Sequence, residues 1–369
     1  MSVVIFFIIL LVLVLVHEFG HFFTAKNFGI RVDEFGFGFP PKLFGFKKGE
    51  TEYSLNLLPI GGFVKIFGEN PDDENTNGPD AERSFVNKAK WKQAIVLFAG
   101  VLANFLLAWI LFSISFMSGL PTSVGSESAG LKLSNLNLTV ISVLEKSPAQ
   151  IAGLKSGDKI ISVKSSLDVL NKIDPDTLKS FIVLHPKKEI EIKYLRGKDE
   201  NMHLARMTPT EIGNSTSREP MIGISMDMIG TARLPFLSAF LEGMRLNWFV
   251  TKSTIGGLYT LISEGIYGKT NLLTSVIGPV GMVGIVGDAY QFGFVYLLSF
   301  SALISINLAI INLLPFPALD GGRLFFLLIE KIKGSRINPK VTNTANMIGF
   351  SILVLLMLVV TYHDVVKLF

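Results

Sequence analysis

The chain has 369 residues, 49% of them apolar and 17% charged, with a net charge of +4 and no cysteine. Lack of cysteine excludes disulfides and thiolate metal ligands, and so small a charge calls for no nucleic-acid partner. The apolar residues are gathered in blocks, which excludes an ordinary soluble globule and makes the lipid bilayer the first partner to consider.

The first block, Val3 to Phe23, is almost unbroken until His17. It lacks the basic n-region and small-residue cleavage site of a signal peptide and carries His-Glu at its far end, so it reads as a retained span. The segment from Thr24 to Gln93 is rich in Gly, Phe and charge. Within it Thr51–Leu57 and Phe63–Ile66 alternate like strands around Pro59-Ile60-Gly61-Gly62, which predicts a β-hairpin. Asn70 to Asp80 reads as an acidic loop. Ala94 to Met117 forms the second block, with Asn104 and two serines its only polar groups.

From about Pro121 to Met228 hydropathy falls and a soluble, β-rich domain is expected. Leu138–Val143, Lys159–Val163 and Glu189–Leu195 read as strands. Ser147-Pro148 reads as an N-cap with proline in the first helical turn, ended by Gly153, and Gly157-Asp158 as a turn. Phe236 to Ile266 carries Glu242, Arg245, Lys252 and Glu264, and predicts one or two amphipathic helices at the membrane surface rather than a span. Phe294–Leu314 and Met347–Thr361 are the last apolar blocks. Crossing the ~30 Å of hydrocarbon takes ~20 helical residues, and these blocks show none of the polar stripe of a soluble helix. The expected fold is a polytopic α-helical membrane protein with about four transmembrane helices, carrying an inserted β-rich domain and a membrane-associated β-hairpin.

Lys and Arg set the orientation. Ten fall between spans one and two, five between Arg323 and Lys340, and none precedes span one. Connections rich in Lys and Arg stay in the cytoplasm, which puts both termini and the soluble domain outside.

Chemistry concentrates in His17-Glu18-Phe19-Gly20-His21. Residues i and i+4 of a helix lie one above the other, so both imidazoles can reach one metal ion. Glu18 stands where a carboxylate can take a proton from an activated water. Five residues are a weak pattern, but an ionisable group within a span costs ~2.5–3.5 kcal/mol on insertion scales and is functional by default. The plainer alternative is that these groups only anchor the helix end at the interface. A catalytic zinc needs a third protein ligand. His185 and His203 belong to the soluble domain and His363 follows the last span, which leaves Asp320, in Asn312-Leu313-Leu314-Pro315-Phe316-Pro317-Ala318-Leu319-Asp320-Gly321-Gly322. Two prolines two apart end the helix, and unwound backbone at membrane depth survives where it is buried in protein or lines a wet cavity.

Together, His-Glu-x-x-His in the first span, Asn-x-x-Pro-x-Pro-x-Leu-Asp-Gly after the third, Leu58–Lys65 and Gly278-Pro279-Val280-Gly281 resemble the bacterial site-2 protease family, over essentially the whole chain. Ser147-Pro148-Ala149…Ala152-Gly153-Leu154…Gly157-Asp158-Lys159-Ile160 resembles a PDZ domain. The resemblance implies an intramembrane zinc protease of the bacterial inner membrane with three parts: membrane core 1–120 with a cytoplasmic-side hairpin region at 31–68, PDZ-like domain 121–230, and membrane core 231–369. It implies Zn2+ held by His17, His21 and Asp320, with Glu18 as general base. Asn312, Pro315, Pro317, Gly61 and Gly62 would hold the substrate. Its substrates would be single-span membrane proteins, such as anti-sigma factors, or signal-peptide remnants. Val101 stands where the family often has proline, and one PDZ-like unit is present where some members carry two. A PDZ-bearing scaffold with a decayed site and a zinc transporter are the competing classes. Intact His17, Glu18, His21 and Asp320 weigh against the first, and the almost wholly apolar second and fourth spans against the second.

Overall fold

The computed structural model describes residues 2–70, 73–124, 132–166, 168–197, 201–211, 219–267 and 277–366. Four helices are long and apolar enough to cross a membrane: Ser2–Asn27, Lys90–Ser118, Phe294–Leu313 and Pro339–Val366. The chain divides into two compact units.

The membrane unit begins with α1 (Ser2–Asn27), followed by β1 (Val32–Lys48) and β2 (Thr51–Ile66). Here the fold differs from the sequence expectation. Gly62–Ile66 and Glu52–Leu55 do not form the two arms of a hairpin around Pro59–Gly62. Both pair with β1: Phe35 faces Val64 and also Tyr53, and Phe37 faces Gly62 and also Leu55. The tight turn lies instead at Gly49-Glu50, with Gly49 at φ 67°, where glycine bears no Cβ penalty. Pro59 and Gly61 act as irregularities within one long strand, because a bulged strand tolerates both residues. Glu50, at that turn, receives hydrogen bonds or ion pairs from Lys26 (2.6 Å) and Arg83 (2.6 Å), which hold its carboxyl below the usual range. Those pairs tie the turn to the end of α1.

Asn70 to Asp80, expected as a loop, contains the short helix α2 (Asp73–Asn77); Pro71 and Asp72 lie outside the described residues. The second span, α3 (Lys90–Ser118), is continuous through Val101, so valine in place of proline leaves an unbroken helix. Ala25, Ile30, Val32, Ile66, Val96 and Leu97 form one apolar cluster beneath the sheet, and Ala108, Phe112, Ala302, Ile306 and Ile310 form another between spans.

The second unit, called the soluble unit after the sequence expectation, contains a seven-stranded antiparallel sheet in the order β3 (Leu120–Ser123), β9 (Ile224–Ala232), β4 (Ser134–Val143), β5 (Lys159–Ser165), β7 (Ile190–Leu195) and β8 (His203–Met207), with β6 (Asp168–Val169) against β5. Between strands run α4 (Pro148–Ile151) and α5 (Pro175–Leu184). Ser147 caps α4, accepting from Gln150 N at 3.2 Å. Asp174 closes a capping box with Thr177. Alternating inward residues Ile190, Ile192 and Tyr194 meet Leu138, Val140, Ile160, Val163, Leu178 and Phe181 in a dry core. Asp158, fully buried, is answered by Arg196 at 2.7 and 2.8 Å and by Lys155 N at 2.8 Å.

The chain continues through α6 (Phe236–Ile266), a single 31-residue helix where one or two were expected, then α7 (Pro279–Phe292). The third span, α8 (Phe294–Leu313), follows a break at Gly293, φ 116°. Two further helices, α9 (Asp320–Lys333) and α10 (Pro339–Val366), complete the membrane unit. Asp364 of α10 accepts from the N–H groups of Gly278 (3.2 Å) and Gly281 (2.8 Å), so Gly278-Pro279-Val280-Gly281 is a helix start capped by a distant carboxylate.

A three-donor cluster where α1 meets α9

His17 and His21 stand one turn apart on α1, both 6% exposed, with ring centroids 4.8 Å apart and planes nearly perpendicular. Glycine makes their neighbourhood possible. A Cβ on Gly20 would sit 2.4 Å from Ala99 O and 3.0 Å from Ala103 Cβ, so α1 and α3 touch there backbone to backbone. A Cβ on Gly100 would sit 2.3 Å from His21 Nε2. Small residues at this crossing therefore leave the space that the imidazoles occupy.

Asp320 arrives from the other end of the chain. After Leu313 the helix stops, as Pro315 and Pro317 require, and the backbone turns through Ala318 at φ 75°. The Ala318 N–H donates to Asn346 Oδ1 at 3.2 Å, which anchors this uncommon conformation to α10. Helix α9 then starts at Asp320 and folds back tightly on the turn: a Cβ on Gly321 would lie 2.2 Å from Leu313 O, and one on Gly322 2.2 Å from Phe316 O. Asp320 Oδ2 thus comes to 3.0 Å from His17 Nε2 and 3.2 Å from His21 Nε2. One turn later Arg323 pairs with Glu69, just beyond β2.

Asn312 Nδ2 is 3.5 Å from His17 Nε2, so the asparagine borders the cluster. Pro315 is exposed and Pro317 half-buried, both in the unwound segment. Gly61 and Gly62 are buried in β2, and a Cβ on Gly62 would lie 3.8 Å from Glu18 Cγ. The Glu18 carboxylate accepts a hydrogen bond from the backbone of Val64, two residues further along that strand. Every candidate named from the sequence is therefore in the membrane unit, with the glycines beside Glu18 and Asn312 beside His17.

The donor set suits a divalent ion. His17 Nε2 and His21 Nε2 are 3.2 Å apart, giving a triangle with edges of 3.0, 3.2 and 3.2 Å. Three ligand atoms at ~2.0–2.1 Å from a tetrahedral zinc are ~3.3 Å apart. Asp320 Oδ2 is buried and has no hydrogen-bond partner, a costly state for a carboxylate that a cation would relieve. Among the described residues, His17, His21 and Asp320 are the one group of three such side chains close enough to share an ion. His185 is engaged elsewhere, with Asp168 at 2.9 Å in the soluble unit.

Three participants escaped sequence reasoning: Gly100, Val96 and Asn104, all on α3. His21 Nδ1 is 2.8 Å from Val96 O, and Asn104 Nδ2 is 3.4 Å from His17 Nδ1. The signal for Asn104 was visible as the lone amide in an apolar run; nothing local tied it to a histidine 87 residues away.

Comparison with known proteins agrees with this chemistry. Residues 5–356 match the profile of peptidase family M50. A Clostridium perfringens protein named as a zinc metalloprotease is 36% identical, covering 96% of this chain and 95% of its own. A Fusobacterium nucleatum protein of like name is 33% identical over the full length of both. Zinc metalloprotease RasP of Geobacillus kaustophilus is 29% identical, covering 100% of this chain and 98% of its own.

Proposed function

The chain belongs to peptidase family M50 and is a membrane-embedded zinc metalloprotease, and from that premise we propose that it cuts peptide bonds within the transmembrane segments of single-span membrane proteins. The observation that carries this reading is the position of His17 and His21: the helix bearing them is itself long and apolar enough to span the bilayer.

In this reading His17, His21 and Asp320 hold the zinc. Zinc, when bound, supplies a Lewis acid for the scissile carbonyl and lowers the pKa of water towards ~7. Glu18 lies beside the cluster and acts as general base, taking the proton of the attacking water on its carboxylate and passing it to the leaving amine. The hydrogen bond from Val64 orients that carboxylate. Asn312 holds the substrate backbone close to His17, and its amide donates to the carbonyl oxygen as charge develops there.

A helical substrate shields its own peptide bonds, so it must be unwound first. Gly62–Ile66 is an outer segment of the sheet that passes Glu18, and a substrate added to it as a further strand would be extended at the point of attack. Pro315 and Pro317 supply unwound backbone on the opposite flank. The basic connections after spans one and three support an enzyme of the bacterial cytoplasmic membrane with its catalytic end facing the cytoplasm. We read the soluble unit, on its Ser147–Ile160 pattern, as a PDZ-type domain that screens substrates. Membrane-tethered anti-sigma factors and signal-peptide remnants have the single-span form this site requires.

Purified enzyme reconstituted with a model single-span substrate tests the reading. Zinc-loaded parent should cleave within the span and Glu18→Gln should not. Equal cleavage by both, or none by the parent across several single-span substrates, would sink it.

A further inference from the structure

The structure assigns a role to Asn104: it is a positioning residue whose side-chain oxygen accepts the Nδ1 proton of His17 and so sets the ring to present Nε2 to the metal. This inference rests on the zinc site proposed above.

In both histidines Nε2 is the nitrogen that faces Asp320 Oδ2, at 3.0 Å for His17 and 3.2 Å for His21. A neutral imidazole that offers the Nε2 lone pair to a cation carries its proton on Nδ1. Each Nδ1–H is buried with its ring and needs an acceptor. For His21 the acceptor is plain: Val96 O, at 2.8 Å. For His17 the group at hand is the Asn104 carboxamide, 3.4 Å away.

As drawn, Asn104 turns its NH2 towards His17, so two donors would face one another. Its Oδ1, meanwhile, is buried without a hydrogen-bond partner, and the residue is wholly inaccessible to solvent. The two ends of a carboxamide have nearly the same shape, and their assignment follows from the hydrogen bonds they make. Turning the amide by 180° moves no other atom. It converts a donor–donor contact into Nδ1–H···Oδ1 and gives the orphaned Asn104 oxygen a donor. A single change resolves both defects, and both arise because the histidine must be metal-ready.

The surroundings hold Asn104 for this task. The close crossing at Gly20, Ala99 and Ala103 brings its turn of α3 against α1. From α8, Ser305 Oγ donates to the Asn104 backbone oxygen at 2.9 Å. One helix therefore supplies the acceptors for both ligand histidines, Val96 for His21 and Asn104 two turns later for His17. An amide serving only to join spans would also bond across a helix interface, but the loss of such a bond would leave metal affinity unmoved. Partners of metal-bound histidines, by contrast, typically change metal affinity by about 10–100-fold.

The test uses full-length enzyme in detergent, stripped of metal and titrated with zinc against a competing chelator. Asn104→Leu removes the acceptor and should weaken zinc binding by about 10–100-fold. Asn104→Asp keeps an oxygen acceptor in nearly the same volume and should bind zinc with close to the parental affinity. Imidazole 15N resonances of the Asn104→Asp and parent proteins report the protonated nitrogen directly, and should place the His17 proton on Nδ1. Parental zinc affinity in Asn104→Leu, or equal losses in the Leu and Asp variants, overturns the role of Asn104. An Asp320→Ala control separates the two claims. If it binds zinc as the parent does, the ligand set itself fails and the Asn104 role falls with it. If it loses zinc while Asn104→Leu does not, the ligand set stands and only the present inference is overturned.

Discussion

The two units of this chain solve burial in opposite ways. In the soluble unit Leu178, Ile190 and Ile192 are inaccessible to solvent, and the one fully buried acid among the described residues, Asp158, is matched by Arg196. In the membrane unit many large apolar side chains point outwards: Val3, Ile8, Val12, Leu106, Ile110 and Leu355 are all exposed on the protein surface. Beside one apolar cluster around Phe112, Ile306 and Ile310, the spans enclose polar or small residues, among them His17, His21, Asn104, Gly20 and Gly100. Water makes apolar contact the stabilising principle of the first unit. Lipid tails are as apolar as leucine, so packing of small residues and polar bonds take its place in the second. The buried polar groups of the second unit accordingly include both a structural cap, Asp364, and the cluster of His17, His21 and Asp320.

Substitutions can break that contrast. The largest effect is expected at Glu18. Glu18→Gln should cut the cleavage rate by about 10²–10⁴-fold, the usual worth of a general base, while zinc content by metal analysis stays at the parental level. Next comes Leu178→Ala, which should destabilise the soluble unit by about 2–5 kcal/mol through lost burial and a residual cavity. Denaturant unfolding would show it, and chelator competition should find zinc affinity unchanged. An equal loss of zinc would mean that the two interiors are not the independent systems described. Gly100→Ala should act in reverse. Its methyl group intrudes on His21 Nε2 and should weaken zinc binding about tenfold or more, with the soluble unit melting as before.

The smallest effect concerns acid. Asp174, through Lys172 and the Thr177 amide, has its pKa lowered from 3.8 to about 2. A carboxyl with a depressed folded pKa contributes stability that is present above 3.8 and is lost as pH falls towards 2. Asp174→Asn should flatten the stability of the soluble unit across that window and leave it little changed near neutrality. A parental slope between pH 4 and 2 would show that the capping box carries none of this dependence.

Legibility in the sequence followed locality. Four spans could be read from composition alone, because each is a continuous run. His17, Glu18 and His21 lie within five residues, and Asp320 sits in a motif whose prolines announce unwound backbone. The strand pairings were harder. Pro59 and Gly61-Gly62 carry the chemistry of a turn, yet both flanking pieces pair with β1, and only long-range register decides that. Asn104 and Gly100 were harder still. Each reads as an incidental residue of an apolar helix until the crossing of α1 and α3 gives it a histidine to face.

One consequence lies in the order of synthesis. The histidine pair belongs to α1, which is made before the three other apolar helices, whereas Asp320 begins α9. During most of translation the nascent chain holds two donors of a three-donor site. The fold-back of Gly321 and Gly322 onto the unwound turn, which delivers the third, can form only once the third span is in place. On the function proposed above, the protease is thereby kept inert among the half-inserted helices around it, its own included. Formation of the third span and of the turn after it is then itself the activating event.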